Sequence, residues 1–253
     1  MLTVSDTAYA ISSVRAQEAE LSETERLFED PYAQIFAAAG DHAREGTERF
    51  LSLPFFRDGI RLRTRHIDDV VRDAITHGAR QLVLMGAGFD ARALRLSEVA
   101  KHDVHTFEID LPVLLEVKRG LLERSGIAIP EVVHYVATDC TSDFETQLVE
   151  QLVRQGFERD EPVMFVWEGV TAYIGTEAID RSLRFMAMIG GPGSRVIFDF
   201  SDYLLDPDSL SQRIRRAGFT TFQEVRFDEL WRRHLPGEPA PSASVAKLGI
   251  ASK

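Results

Sequence analysis

The alternation of apolar and polar positions divides most of the chain into short apolar runs and amphipathic segments. Seven runs are typical of strands, namely Gln81–Met85, His105–Ile109, Val132–Ala137, Pro162–Trp167, Arg195–Phe200, Phe219–Phe227 and Val245–Ala251. Apolar residues at helical spacing predict helices between most of them, at Ala91–Val99, Leu111–Glu123, 143–155, Thr176–Ile189 and Leu210–Ala217. Strands that alternate with helices predict a doubly wound, mainly parallel α/β sheet, which binds its ligand at the carboxyl ends of the strands.

The chain departs from this alternation at both ends. Ahead of the first strand it looks helical throughout, with helices predicted over Val4–Glu20 and Phe55–His77. A further helix start is expected at Asp30-Pro31, because proline in the first turn costs no hydrogen bond. The last two predicted strands are joined by the proline-rich connection Pro236–Ser244, which contains no convincing long helix. We therefore expect these two strands to form an antiparallel hairpin at one edge of a seven-stranded sheet.

Nothing in the pattern repeats, and no linker separates the chain into two parts. We expect a single domain over residues 1–253, in which residues 1–78 form an N-terminal helical extension and residues 79–253 form the α/β core. A composition of 44% hydrophobic and 27% charged residues is that of an ordinary globular protein.

Composition and charge restrict the partners that the chain can have. No apolar run approaches the roughly 18–20 residues that span a membrane, and Met1–Ala10 lacks a signal-peptide pattern, so a cytoplasmic location without membrane partners is expected. The single cysteine, Cys140, excludes an internal disulfide and a cysteine-cluster metal site, and no metal is expected. The formal net charge of −11 disfavours a nucleic-acid partner. The nearest approach to a basic patch is Arg57, Arg61, Arg63 and Arg65. These arginines are either a solvated helix face or part of the lining of the ligand cleft.

A glycine turn follows the first predicted strand directly. Gly86-Ala87-Gly88 allows a sharp reversal of the chain and leaves bare backbone against which a ligand can lie. Glu108 stands twenty residues past Gly88, where nucleotide-binding folds place the acid that binds ribose hydroxyls. Asp110 ends the same strand and precedes a helix, so that it is either the N-cap of that helix, a ribose ligand, or both.

Two more acids follow predicted strands. Asp139 comes after the third strand and serves either to cap a turn or to line the cleft. Glu168 comes directly after the fourth strand and is followed by Gly169, which points it towards the crevice at the carboxyl ends of the strands. A hydrogen-bonded loop acid is the alternative interpretation of Glu168.

Two cofactors compete for such a site. Gly86-x-Gly88-x-x-Ala91 with Glu108 also satisfies the fingerprint of an NAD-dependent oxidoreductase. Against that interpretation, a helical segment of about 80 residues precedes the first strand, no second nucleotide-binding half is apparent, and no Tyr-x-x-x-Lys pair is visible. S-adenosylmethionine needs glycine backbone near its amino-acid part, an acid for its ribose and polar groups for its adenine, all of which the sequence offers.

Several short motifs together resemble one family in most of the chain. They are Asp6-Thr7-Ala8, Leu27-Phe28-Glu29-Asp30-Pro31-Tyr32-Ala33, Arg63-Thr64-Arg65 with Asp68-Asp69, Gly86-Ala87-Gly88-Phe89-Asp90-Ala91-Arg92, Phe107-Glu108-Ile109-Asp110-Leu111-Pro112 and Glu168-Gly169-Val170-Thr171-Ala172-Tyr173. In this order they resemble the leucine carboxyl methyltransferase-like branch of the class I S-adenosylmethionine-dependent methyltransferases, which includes bacterial O-methyltransferases.

The resemblance implies a Rossmann-like class I methyltransferase fold with S-adenosyl-L-methionine as cofactor. Arg63 would bind the carboxylate of this cofactor, for which a guanidinium fork is well shaped. The backbone at Gly86 and Gly88 would approach the cofactor. Asp110, with Glu108 as a second candidate, would hold the ribose hydroxyls.

The resemblance also implies roles for residues beyond the ribose. Asp139 would accept a hydrogen bond from the adenine amino group, and Cys140 would contribute its backbone amide. Glu168 would lie at the amino-acid end of the cofactor, close to the region of methyl transfer. Tyr173 is the best single candidate for a side chain that faces the acceptor, and core packing is the alternative for it. We treat Glu168 and Tyr173 as the catalytic candidates.

These features predict an O-methyltransferase that acts on a carboxylate or hydroxyl of a small molecule, such as a polyketide-like or other secondary metabolite. A carboxylate acceptor is already ionised and needs no general base, whereas a hydroxyl would need one, and no base can be assigned. The segment Ser201–Ser209 is short where the family usually carries a longer roof over the substrate site. The alternatives are the oxidoreductase and a cofactor-binding protein without activity.

Overall fold

A single mixed β-sheet organises the chain. The computed structural model describes residues 4–40, 44–141, 143–202 and 207–253. The strands are β1 (Gln81–Met85), β2 (His105–Asp110), β3 (Val133–Ala137), β4 (Val163–Trp167), β5 (Arg195–Ser201), β6 (Thr221–Arg226) and β7 (Ala246–Ser252). They lie in the order β3-β2-β1-β4-β5-β7-β6. The strands from β3 to β5 pair in parallel, and β7 runs antiparallel to both β5 and β6. The prediction of a doubly wound, mainly parallel seven-stranded sheet with an antiparallel edge is confirmed.

Helices occupy most of the remaining chain. They are α1 (Val4–Glu18), α2 (Ala33–Ala38), α3 (Arg44–Leu51), α4 (Phe56–Thr76), α5 (Arg92–Arg95), α6 (Ser97–Lys101), α7 (Pro112–Arg124), α8 (Glu145–Arg154), α9 (Thr176–Ile189), α10 (Pro207–Ala217) and α11 (Phe227–His234). None of these helices is both long enough and apolar enough to cross a bilayer, as far as the described residues extend.

Apolar residues cover both faces of the sheet, and β1 shows why its sequence is apolar at every position. Val83 and Met85 belong to the core on one face, whereas Leu82 and Leu84 belong to the core on the other. A central parallel strand is buried on both sides, so it does not alternate with polar residues. The chain moves outward from β1 to β3 on one side and from β4 on the other, so the order of strands reverses between β1 and β4. Such a reversal opens a crevice at the carboxyl ends of the strands.

The last connection differs from its prediction. Between β6 and β7 lies the helix α11, where no long helix was expected, and it starts at Phe227 and so shortens the predicted strand Phe219–Phe227. Its sequence FDELWRRH is short and highly charged, which hides the apolar positions Phe227 and Leu230 that it buries. Acids in its first turn and basic residues in its last turn favour the helix through its dipole. After α11 the chain returns as β7, which inserts between β5 and β6.

The N-terminal extension is less helical than predicted. The segment between α1 and α2 is irregular, and α2 begins at Ala33 rather than at Pro31. The Asp30 carboxylate accepts hydrogen bonds from the backbone amides of Tyr32 and Ala33 and thereby supports the start of α2. The predicted helix Ala91–Val99 is interrupted as well, because Leu96 is extended and separates α5 from α6. Predicted helix and strand positions are otherwise reproduced within a few residues.

Candidate active site

A cleft with two lobes lies at the carboxyl ends of β1, β2 and β4. The arginine lobe is lined by α1, the glycine turn and a group that includes Arg15, Arg63 and Glu168. The Asp139 lobe is lined by the ends of β1, β2 and β4 and by residues 138–141. The residues that line both lobes are Gly86, Asp110, Gly169, Val170 and Tyr173. The cleft therefore contains most of the residues that the sequence singled out.

The two glycines of the turn differ in what lies beside them. Both have positive φ angles, 72° at Gly86 and 48° at Gly88, which favour glycine. A Cβ on Gly86 would lie 2.5 Å from Val170 Cγ2, whereas a Cβ on Gly88 would meet nothing within 4 Å. The missing side chain at Gly86 thus makes room for Val170. Gly88 leaves open backbone of the kind that a ligand can approach.

Asp110 joins the glycine turn to the start of α7. Its Oδ2 accepts a hydrogen bond from the Gly88 amide at 2.6 Å, and its Oδ1 accepts one from the Leu111 amide at 2.7 Å. The N-cap position of α7 belongs to Leu111, so Asp110 is not the N-cap that the sequence offered as one interpretation. Burial raises the pKa of the Asp110 carboxyl. The contact of Asp110 with ribose stays a prediction, and a position in the lining of both lobes is suited to such a contact.

Glu108 lies outside the cleft, and its candidacy for the ribose is corrected. Its side chain is almost fully buried, two residues farther from the strand end than Asp110, and α7 covers it. Lys118 Nζ donates to Glu108 Oε2 at 2.5 Å and also donates to the Asp90 carbonyl. Burial raises the pKa of Glu108, and Lys118 opposes that effect. The residue twenty positions past the glycine turn is therefore not a ribose ligand but one half of a buried lysine–carboxylate pair.

Asp139 and Cys140 lie in the loop after β3 and line the Asp139 lobe. Asp139 Oδ1 accepts hydrogen bonds from the Thr141 amide at 2.9 Å and from the Thr141 hydroxyl at 2.6 Å, which lower its pKa. The turn-capping interpretation of Asp139 therefore describes its bonding here, and its adenine role stays a prediction. Burial, together with nearby acids, raises the pKa of the Cys140 thiol to about 12, so the thiol is neutral and unreactive near neutral pH.

Arg63 is buried and faces the cleft, so a solvated helix face does not describe it. Its Nε donates to Glu168 Oε1 at 2.8 Å and its Nη1 donates to Asp199 Oδ2 at 2.9 Å. Its Nη2 is buried and has no hydrogen-bond partner among the residues that the structure describes. Arg61 and Arg65 of the same helix bind elsewhere, to Glu18 and Asp69. A buried guanidinium nitrogen without a partner is costly, so this atom fits the carboxylate of a bound ligand.

Glu168 is held by three arginines. Its carboxylate accepts hydrogen bonds from Arg15 Nη2 at 2.8 Å, from Arg63 Nε at 2.8 Å and from Arg92 Nη1 at 2.7 Å. Burial alone would raise the pKa of Glu168, but the three guanidinium groups hold it well below its usual range. A carboxylate in this state cannot exchange a proton near neutral pH. The catalytic candidacy of Glu168 is therefore restricted to positioning and electrostatics.

Sequence reasoning missed Asp199, although it is central to the site. Asp199 Oδ1 accepts a hydrogen bond from the Gly169 amide at 2.6 Å, while its Oδ2 binds Arg63. One carboxylate thus fixes both the loop after β4 and the arginine that faces the cleft. The signal was present as a lone acid in the largely apolar strand β5, two residues before the end of the strand at which the cleft opens. Arg15 of α1, which also binds Glu168, carried no comparable signal.

Tyr173 lies at the mouth of the cleft. It ends a short 3₁₀ turn, its side chain is half-exposed, and its hydroxyl is 2.9 Å from Thr7 Oγ1 of α1. Its exposure excludes the core-packing alternative, while its role towards an acceptor stays a prediction. In the described part of the chain, no histidine or lysine lines either lobe.

A known protein family matches the sequence that forms most of this cleft. The family model described as leucine carboxyl methyltransferase matches residues 8–187, which include the glycine turn and all the acids discussed above except Asp199. The chain belongs to the leucine carboxyl methyltransferase family. That membership confirms the resemblance seen in the sequence. It favours the methyltransferase over the NAD-dependent oxidoreductase.

Curated relatives and one solved structure agree with this family. A protein of Mycobacteroides abscessus is 32% identical to this chain, in an alignment that covers 85% of this chain and 71% of that protein. A protein of Parafrankia sp. is 31% identical, in an alignment that covers 97% of this chain and 75% of that protein. Both carry the name of an S-adenosyl-L-methionine-dependent methyltransferase. A crystal structure from Thermobifida fusca described as a methyltransferase has a TM-score of 0.62, with 17% identity and coverage of 97% and 94%, and shows the same fold. The prediction of a methyltransferase that uses S-adenosyl-L-methionine is confirmed at the level of the family.

Proposed function

We propose that this protein transfers a methyl group from S-adenosyl-L-methionine to an oxygen atom of a small molecule, and that a carboxylate is the preferred acceptor. The family supports methyl transfer, and the chemistry of the cleft supports the choice of oxygen. A hydroxyl of a polyketide-like or other secondary metabolite is the second candidate.

The cleft fits the cofactor from end to end. Arg63 Nη2, which is buried and has no partner within the described part of the chain, would bind the carboxylate of the cofactor. Asp110, which lines both lobes, would accept hydrogen bonds from the ribose hydroxyls, and the open backbone at Gly88 leaves room beside them. Asp139 and the Cys140 amide would bind the adenine in the Asp139 lobe. Glu168 would stay ionised beside the amino-acid end and balance positive charge there.

The cofactor supplies an electrophilic methyl group, so the remaining task of the chain is to hold and align an acceptor. Space for that acceptor lies in the arginine lobe, beneath α1 and beside Tyr173. Among the described residues of the lining, Glu168 is locked as an anion and no imidazole or amine is present. Of the other acids in that lining, Asp90 is paired with Arg92, and Asp110 and Asp139 are assigned to the cofactor, so no group is left over to remove a proton from a hydroxyl. This observation carries the choice of an acceptor that is already ionised at neutral pH.

Other properties belong to the same proposal. We expect one methyltransferase domain over residues 1–253 and a cytoplasmic enzyme whose partner is a small acceptor, not nucleic acid or a membrane. The segment Ser201–Ser209, interpreted as a shortened roof, lies partly outside the described residues. The intact set of cofactor acids and glycines, with Gly86, Gly88, Asp110 and Asp139 all in the lining of the cleft, argues against an inactive protein.

The test is the chemical stability of the methylated product. Methyl-labelled S-adenosylmethionine is incubated with the protein and a panel of small carboxylic acids and phenols, and extracted product is treated with alkali. A methyl ester releases its label as volatile methanol, whereas a methyl ether keeps it. We expect alkali-labile label, and alkali-stable label would establish the hydroxyl alternative. Asp103→Asn, in an exposed turn remote from the cleft, will incorporate label as wild type does, whereas Asp110→Asn will incorporate much less.

A further inference from the structure

Val170 forms the constriction between the two lobes of the cleft. It lines both of them, and its Cγ2 occupies the space in which a Cβ on Gly86 would lie, 2.5 Å away. Val170 and the glycine turn thus approach each other from the ends of the neighbouring strands β4 and β1. Any molecule that occupies both lobes must pass this constriction.

The backbone around Val170 is fixed. The Gly169 amide donates to Asp199 Oδ1 at 2.6 Å, and the Thr171 hydroxyl donates to the Asp199 carbonyl at 2.6 Å. The Val170 carbonyl itself accepts a hydrogen bond from the Tyr173 amide at 2.9 Å. A β-branched side chain on such a backbone has few rotamers available. The isopropyl group is therefore a rigid wall whose size sets the width of the constriction.

The order of groups along the cofactor then assigns a role to this wall, an argument that rests on the proposed function. The carboxylate end belongs at Arg63 in the arginine lobe, and the adenine belongs at Asp139 in the other lobe. The ribose, assigned to Asp110, and the sulfonium centre both stand between these ends in the covalent structure, and the sulfonium is the nearer of the two to the arginine lobe. This order places the sulfonium beside Val170, at the junction of the lobes. We propose that Val170 determines which alkyl group the bound sulfonium can carry, admitting methyl and discriminating against larger groups.

Two substitutions change the wall in opposite directions. Val170→Ala removes both methyl groups of the side chain and opens the space above Gly86. Val170→Ile adds one carbon to the constriction without changing polarity. Val153→Ala is the matched control, because Val153 lies exposed on α8 and lines neither lobe.

The experiment measures equilibrium affinity by isothermal titration and needs no acceptor. The probes are S-adenosylhomocysteine, S-adenosylmethionine and its S-allyl analogue, and thermal melting establishes that each variant is folded. We expect wild type and Val153→Ala to bind the S-allyl analogue about tenfold or more weakly than S-adenosylmethionine, because allyl is two carbons longer than methyl and even one extra carbon in a tight pocket commonly costs that much. Val170→Ala should bring the two affinities within about threefold, and Val170→Ile should widen the difference.

The outcomes separate this inference from the proposed function. If wild type binds S-adenosylhomocysteine but both Val170 variants keep the wild-type ratio of S-allyl to S-methyl affinity, Val170 does not set alkyl size and the inference is overturned. If Val170→Ala fails to fold, the ratio in Val170→Ile decides. Absence of S-adenosylhomocysteine binding by wild type would overturn the proposed function, and this inference with it.

Discussion

Among single residues, Asp110 combines a structural contact with a predicted binding role. Its carboxylate already clasps the amides of Gly88 and Leu111, so its removal must affect the glycine turn whether or not a ligand binds. The sequence could place Asp110 at the strand end because that position follows from the strand pattern. It could not separate Asp110 from Glu108, since the burial of Glu108 depends on Lys118, a residue of the following helix.

The first prediction concerns Asp110→Asn. The amide cannot accept from both backbone donors in the same way and carries no charge, so we expect stability to fall by about 1–3 kcal/mol. If Asp110 also binds ribose, affinity for S-adenosylhomocysteine will fall roughly tenfold to a hundredfold, the usual effect of losing a hydrogen bond to a charged group. Titration calorimetry and urea denaturation measure the two effects, with Asp103→Asn as the control. Reduced stability with unchanged affinity would show that Asp110 is a structural clasp only.

Among the elements, α1 closes the arginine lobe. Its residues at positions 7, 8, 11, 12 and 15 line that lobe, which is the spacing of one helix face. Two contacts hold it across the cleft, namely Thr7 with Tyr173 and Arg15 with Glu168. The pattern of Val4–Glu20 predicted a helix but not its place, because the two contacts across the cleft join residues more than 150 positions apart in sequence.

The second prediction tests the Thr7–Tyr173 contact of α1. Tyr173→Phe and Thr7→Val each remove the same hydroxyl pair, so each should accelerate amide hydrogen exchange in α1 to the same extent. The double variant should exchange no faster than either single variant, since one interaction cannot be lost twice. Val153→Ala again serves as the control. Additive acceleration in the double variant, or none in any variant, would show that this contact does not hold α1 in place.

The elements also mark where sequence reasoning succeeds and fails. Buried strands such as β1 and β4 were found within a residue, because their apolar runs are dictated by the cores on both faces of the sheet. The helix α11 was missed, and α5 and α6 were fused into one, because such short helices contain too few turns to show a period. Tertiary packing, rather than local pattern, fixes these elements.

In the molecule as a whole, a buried cluster of ion pairs connects the N-terminal helices to the sheet. Its members are Asp30, Asp68, Asp90, Glu168, Asp199, Arg15, Arg63, Arg92 and Arg95. The cluster holds one more acid than arginine, and burial raises the pKa of Asp30, which lies at its edge. Individual members were visible in the sequence motifs, but their pairings cross four elements and could not be predicted from spacing.

The third prediction is the response of this cluster to acid. The folded pKa of Glu168 lies well below its ordinary value of 4.5, so the unfolded chain binds more protons and the stability that Glu168 contributes is lost as pH falls below about 4.5. Burial alone would raise the pKa of Asp68, but Arg92 and Arg95 lower it below its ordinary value, so Asp68 acts in the same sense. We expect the free energy of unfolding, measured in urea, to fall between about pH 5 and pH 3, with a slope reduced by Asp30, Glu108 and Asp110, whose raised pKa values act in the opposite sense.

Glu168→Gln provides the comparison for that acid response. At neutral pH it should lower stability by about 3–5 kcal/mol, because three buried guanidinium groups lose their shared partner. Its stability should then depend less steeply on pH below about 4.5 than that of wild type. Glu150→Gln, which alters an exposed pair with Arg154, should match wild type throughout. An acid slope unchanged in Glu168→Gln would contradict the ionised state assigned to Glu168.

A crystal structure with S-adenosylhomocysteine bound tests the proposed cofactor site most directly. We expect one continuous ligand through both lobes, with its carboxylate at Arg63 Nη2, its ribose at Asp110, its sulfur near Val170 and its adenine beside Asp139. A ligand bound elsewhere on the chain, or one that leaves Arg63 Nη2 without a partner, would show that the proposed site is wrong.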